Sequence, residues 1–306
     1  MKVLKQLFNF YINSSIHVAL AVVSLACVTF FEFDISVDKA TLLFLFFSSI
    51  TGYNFVKFFG LVKFHHRSLT NWLKYVQVFS FFSFVFMCFF AFEMQMKTLL
   101  SAIGFGTVTF FYAIPFLPKD WYVGSKSSLR TVSGLKIYLI AITWSGVTVL
   151  LPLIENDCPI NMDALITSIQ RFALVIVFML PFEIRDLRYD SLALATVPQK
   201  IGVKRTKQLG ILLLVFVILS EFFKDETSVR FIIPLVAICM VTALFVLFSK
   251  MEQGKYYSSF WVEALPILWL GLLLFFFRRI VLLWLCPPLF SWTLCSFCPG
   301  ILFLKF

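Results

Sequence analysis

The sequence predicts an all-α, polytopic membrane helix bundle of about nine transmembrane helices, and three observations carry that expectation. Of 306 residues, 60% are hydrophobic and 14% charged, with a mean hydropathy of +0.94; soluble domains sit near a quarter charged. The apolar residues fall into runs of roughly 20, the length needed to cross a hydrocarbon core of about 30 Å. The basic residues sit in the short links between those runs, where they read as a topology signal and not as a nucleic-acid surface, despite a net charge of +10.

The runs lie near 14–31, 40–59, 72–92, 98–117, 134–154, 163–182, 208–223, 230–249 and 260–277. With the N-terminus in the cytoplasm, the N-terminal segment and the loops at 57–74, 118–136, 183–207 and 250–263 hold 18 Lys/Arg, and the opposite loops hold 5. Acidic residues are biased the other way, 6 against 10. This positive-inside asymmetry implies a multi-pass protein of the inner or cell membrane, its N-terminus cytoplasmic. Residues 1–277 read as one transmembrane domain. Residues 278–306 read as an atypical hydrophobic tail, opened by Arg278-Arg279 and holding three of the seven cysteines. Cys295-x-x-Cys298 stands alone without a second pair, so neither a zinc site nor a disulfide framework is implied.

Chemistry concentrates in Pro181-Phe-Glu-Ile-Arg-Asp-Leu-Arg-Tyr-Asp190. On a continuing helix Glu183, Asp186 and Asp190, at i, i+3 and i+7, share a sector of about 60°. Clustered carboxylates at the end of an apolar span repel each other unless a cation joins them. Magnesium suits that need, since it prefers hard oxygens and is usually held by one or two carboxylates plus phosphates. Pairing with Arg185 and Arg188 on a solvated loop is the alternative reading.

Downstream lies Thr196-Val-Pro-Gln-Lys-Ile-Gly202, followed by Lys204, Arg205 and Lys207. The stretch from Glu183 to Gly202, between the sixth and seventh spans, resembles the second aspartate-rich motif of the UbiA-type intramembrane prenyltransferases. Two further segments are similar to that family's: Tyr112-Ala-Ile-Pro115 with Lys119 at the end of the fourth span, and Arg130-Thr-Val-Ser-Gly-Leu-Lys136 opening the fifth. The first aspartate-rich motif is absent. Asn54 stands in its place, but Phe58 and Val62 occupy the carboxylate positions, and no Asp or Glu lies between Lys39 and Glu93. Lys57, Lys63, His65, His66 and Arg67 fill the run instead, as phosphate-binding cations or as membrane-surface charges.

The resemblance implies a UbiA-like bundle that binds an isoprenyl diphosphate among membrane lipids and transfers the prenyl group to a lipid or aromatic acceptor. It implies Asp186 and Asp190 as catalytic and metal-holding residues, with Glu183 as a third ligand and one magnesium ion. Asn54, Lys57, Tyr112, Lys119 and Arg130 are its substrate-binding candidates. The missing first motif leaves an alternative, a non-catalytic or repurposed isoprenoid or lipid binder of the same fold. A secondary transporter fits less well, because the acids lie at span ends and not near the bilayer midplane. Of the 41 phenylalanines, some can line an isoprenoid cavity, and most are expected to face lipid.

The topology has a direct test. Single cysteines placed in the four basic loops of a cysteine-less background should all react with an impermeant reagent from one membrane face. Two of those loops labelling from opposite faces would contradict the nine-span arrangement.

Overall fold

The computed structural model describes residues 2–62, 71–113, 134–189, 196–225 and 227–285. The helices are α1 (Lys2–Asn13), α2 (Ile16–Glu32), α3 (Lys39–Val62), α4 (Asn71–Ala91), α5 (Met96–Ala113), α6 (Leu135–Ser145), α7 (Leu151–Glu155), α8 (Met162–Asp186), α9 (Val197–Glu221), α10 (Val229–Phe248) and α11 (Leu265–Leu285). A π turn, Gly146–Leu150, joins α6 to α7, and another, Tyr257–Val262, leads into α11.

Among the described residues, helical segments overlap all nine expected runs. Six are long and apolar enough to span a membrane, or seven where the α1–α2 pair, bent by 54°, counts as one span, against the nine expected. The other two are α5, whose apolar part is short, and α9, which carries Lys200, Lys204, Arg205 and Lys207 in its first half. The protein is therefore an integral, multi-pass membrane protein. α11 continues through Arg278 and Arg279 to Leu285, past the boundary expected at 277; the rest of the tail lies outside the described residues.

The helices close into a ring. α2 packs on α3 and α11, α3 on α4 and α5, α5 on α6, α6 on α8, α8 on α9, α9 on α10, and α10 on α11. The main core joins Leu25 and Val28 of α2, Ile137 of α6, Leu174 and Val177 of α8, Leu214 of α9, Ile238 of α10 and Trp269 of α11. Phe81, Phe82, Phe86 and Phe89 of α4 point outward, as lipid-facing side chains should.

Lipid tails are as apolar as leucine, so close packing and interhelical hydrogen bonds must hold such a bundle. The α6–α7 junction shows both. Pro152 has no N–H, so the carbonyl of Thr148 lacks its usual helical donor. Thr29 Oγ1 of α2 donates to that carbonyl at 2.8 Å. Ser145 Oγ donates to Ser168 O of α8 at 2.6 Å. Gly146 receives the Phe105 ring so closely that a Cβ there would stand 2.0 Å from a ring carbon.

Away from the Glu183 end, Arg171 is fully buried. It donates to Leu25 O at 3.0 Å, lies 3.4 Å from Glu32 Oε2 and stacks on Trp269 at 4.7 Å. Gln170 donates to Glu221 Oε2 at 2.9 Å, and Lys224 pairs with Glu221 at 2.8 Å. Ionisable groups in a bilayer persist only when paired, and here pairing fastens α2, α8, α9 and α11 together.

Gly146→Ala tests the junction. Overpacking typically costs about 1–3 kcal/mol, so thermal unfolding in detergent should occur at lower temperature, with partial recovery when Phe105→Leu is added. An unchanged melting temperature would contradict this contact.

Candidate functional site

The site is assembled at one end of the ring, where α3 and α8 finish and α6 begins. Glu183 and Asp186 stand on successive turns at the C-terminus of α8, and the Glu183 side chain is only 2% exposed. The helix ends at Asp186, followed by a turn through Tyr189. The shared helix face thus reaches Glu183 and Asp186 only, because the continuing helix expected through Asp190 stops first. Asp190 itself lies outside the described residues.

Lys136, in the first turn of α6, reaches both acids. Its Nζ lies 3.2 Å from Glu183 Oε1 and 3.7 Å from Asp186 Oδ2. Arg185 also donates to Asp186 Oδ1 at 2.8 Å, while Arg188 stands 3.9 Å from Glu252. The arginine pairing expected for a solvated loop therefore holds at Asp186. The buried Glu183 is paired with a lysine 47 positions earlier.

Across the ring, α1 and α2 meet at a break where Ser15 adopts a left-handed φ of 64°. Asn54 of α3 secures it, donating through Nδ2 to Ser14 O at 3.0 Å and to Ser80 Oγ at 2.8 Å, and accepting from Ser15 Oγ at 2.8 Å. One turn on, Lys57 Nζ donates to Ser15 Oγ at 2.9 Å. Glu263, ahead of α11, lies within electrostatic range of both Lys57 and Arg185, which links the two sides of the site. Lys119, Arg130, Lys63, His65, His66 and Arg67 lie outside the described residues, as does the side chain of Tyr112.

Residues 196–202 explain their own pattern. Thr196 caps α9, with its N–H bonded to Gln199 Oε1 at 2.9 Å. Pro198 fits the first turn, where no N–H partner is needed. Gly202 has φ 79° and ψ 158°, a conformation essentially confined to glycine.

Below the charged end lies an apolar cavity of about 530 Å³ between α2, α3, α4, α5 and the α6–α7 column. Phe44, Leu45, Phe105, Phe110, Trp144 and Leu151 are among its walls. A smaller space of about 80 Å³ adjoins it, reaching Leu139 and Ile140 and sharing Tyr53 and Trp144. Trp144 Nε1 donates to Tyr53 Oη at 2.7 Å. Residues three and four apart share a helix face. One stripe of the α6–α7 column thus runs from the Lys136 ammonium through Leu139, Ile140, Thr143 and Trp144 to Val147 and Leu151 on the cavity wall.

The architecture matches two solved structures. A UbiA homologue from Archaeoglobus fulgidus, bound to GPP and Mg2+, superposes with a TM-score of 0.55 at 12% identity, over 88% of this chain and 99% of that one. A digeranylgeranylglyceryl phosphate synthase gives 0.52 at 12% identity, over 90% and 98%. The fold is UbiA-like. No protein-family model matches the sequence, and no curated protein matches it.

Within this UbiA-like bundle, sequence reasoning named the acids but did not single out Lys136. The available signal was a lysine opening the same stripe that continues as Leu139, Ile140, Thr143 and Trp144. Lys57 was named, but its support from the Ser15 break joins residues 42 positions apart and has no local signature.

Asn54→Leu tests the break at Ser15. It strands a buried carbonyl and a hydroxyl, a loss of about 1–3 kcal/mol, and should lower the melting temperature measurably. An unchanged melting temperature would show that Asn54 does not brace the α1–α2 corner.

Proposed function

We propose that this chain binds an isoprenyl diphosphate and transfers its prenyl group to a lipid or aromatic acceptor, as a prenyltransferase-like membrane protein. The observation that carries the reading is the single face of the α6–α7 column, charged at Lys136 and apolar along the cavity wall. An amphiphile with an anionic head and a branched hydrocarbon tail has that same polarity. The UbiA-like fold and the GPP and Mg2+ bound by the Archaeoglobus fulgidus homologue support the same substrate class.

The diphosphate head lies at the Glu183 end, with Lys136 and Lys57 as donors and Tyr112, Lys119 and Arg130 as further contacts. Cationic donors fixed where negative charge develops favour departure of the diphosphate. Cleavage of the allylic C–O bond leaves a carbocation in the cavity. The acceptor attacks it, a new bond to the acceptor forms, and the acceptor gives up a proton. Aromatic walls at Phe105, Phe110 and Trp144 shield the cation from water and offer π faces to it.

Magnesium is usually held by one or two carboxylates plus substrate phosphates. Glu183 and Asp186 supply two such carboxylates, close enough to share Lys136, and among the described residues no cluster of three metal-ligating side chains is present. Glu183 and Asp186, with Asp190, are the residues that would hold the magnesium ion. Bound there, the ion would offset the charge of the departing diphosphate. The basic loops set this end of the bundle in the cytoplasm.

One observation favours a second reading, a binder that performs no transfer. Phe58, at a carboxylate position of the missing first motif, packs edge-on against Trp72 at 6.4 Å. That side of the site offers apolar packing where a second metal would need oxygens.

Purified protein in nanodiscs with labelled geranyl diphosphate and magnesium separates these readings. Glu183→Gln with Asp186→Asn should weaken diphosphate binding at least tenfold, about 1.4 kcal/mol, in protein that still folds. Labelled product from a panel of lipid and aromatic acceptors marks the enzyme, and tight binding without product marks the binder. Unchanged affinity in the double variant would contradict the placement of the head group.

A further inference from the structure

The Glu183–Asp186 pair is not waiting for its first bridging cation, because Lys136 already bridges it. Lys136 Nζ lies 3.2 Å from one carboxylate and 3.7 Å from the other. A divalent ion bridging the same two groups needs that space, and two cations cannot share it without strong repulsion. The lysine side chain is 35% exposed and stands on a four-carbon stem with freely rotating donors. It can therefore leave the carboxylates without moving α6. It cannot go far, being anchored one turn above Leu139 and Ile140 at the top of the cavity stripe.

We propose that Lys136 is a tethered counter-ion that competes with magnesium for Glu183 and Asp186 and, once displaced, donates to the diphosphate. The proposal rests on the reading of this end as a diphosphate site. Without metal, the ammonium bridges the two acids and, with Arg185 on Asp186, balances their charge; unbridged, the acids would repel each other in a poorly solvated position. When the metal takes the carboxylates, the freed ammonium lies beside whatever the metal binds, and phosphate oxygens are its natural acceptors. Metal and diphosphate binding are then coupled. The metal must displace a charge to enter alone, and the diphosphate compensates by giving that charge a new partner. Arg185, bonded to Asp186 at 2.8 Å, can remain at its own oxygen throughout, since it flanks the pair and does not bridge it.

The test uses full-length protein in nanodiscs and two measurements. The first is Mn2+ affinity without diphosphate, read from the free-ion EPR signal. Lys136→Met should bind Mn2+ about tenfold more tightly than wild type, and Lys136→Arg should stay close to wild type. The second is geranyl diphosphate affinity at saturating Mn2+, where Lys136→Met should be about tenfold weaker and Lys136→Arg largely preserved. If Lys136→Met binds Mn2+ no more tightly than wild type, the competition is refuted. Tighter metal binding with unchanged diphosphate affinity refutes the handover. Tighter metal binding in a protein that never binds diphosphate, in any variant, sustains the counter-ion role and instead overturns the diphosphate-site reading. Should Lys136→Met prove unstable without metal, its melting temperature should rise more on adding Mn2+ than that of wild type. An equal or smaller rise counts against the proposal.

Discussion

Two carboxylates at the end of a membrane helix must be joined by a cation, and the rest of the site is arranged around that constraint. Glu183 is buried and Asp186 stands one turn away on α8. A carboxylate at the end of a membrane helix is costly without positive charge close by. The arrangement gathers the charge of this end around Glu183 and Asp186, and the cavity below it is lined by apolar side chains.

The same constraint operates away from this end with a different outcome. Arg171, Glu32, Glu221 and Lys224 pair among themselves, with Trp269 stacked on the guanidinium. Arg171 is 1% exposed and its partners surround it, so this cluster fastens helices. At the Glu183 end the bridging cation is a flexible lysine, partly exposed and open to exchange. The difference between the two clusters lies in how firmly the charge is held. Where the α4–α5 and α7–α8 links meet, Lys97 and Gln95 donate to Asp157 and hold its carboxyl below the usual range.

Much of this was legible in the sequence. The apolar runs located the helical segments, and the spacing of Glu183 and Asp186 put them on one helix face, as they stand on α8. The Thr196–Gly202 pattern found its physical cause in a capped helix start and a glycine-only backbone angle. What the sequence hid was long-range. Lys136 meets Glu183 across 47 positions, Asn54 meets Ser14 and Ser15 across about 40, and Tyr53 meets Trp144 across 91. No periodicity encodes such pairings; they exist only once α2, α3, α6 and α8 have packed. The helix end at Asp186 was hidden too, because residues 187–190 contain no glycine or proline to mark it.

The central claim is that the α8 carboxylates and the head group of an isoprenyl diphosphate meet at one metal centre. Pulsed EPR on Mn2+-loaded protein with a non-reactive prenyl thiolodiphosphate measures this directly, through hyperfine coupling of the metal to phosphorus. The account predicts clear 31P coupling in the wild type and its disappearance in Glu183→Gln with Asp186→Asn. Bound Mn2+ showing no 31P coupling, or coupling that persists in the double variant, would contradict it.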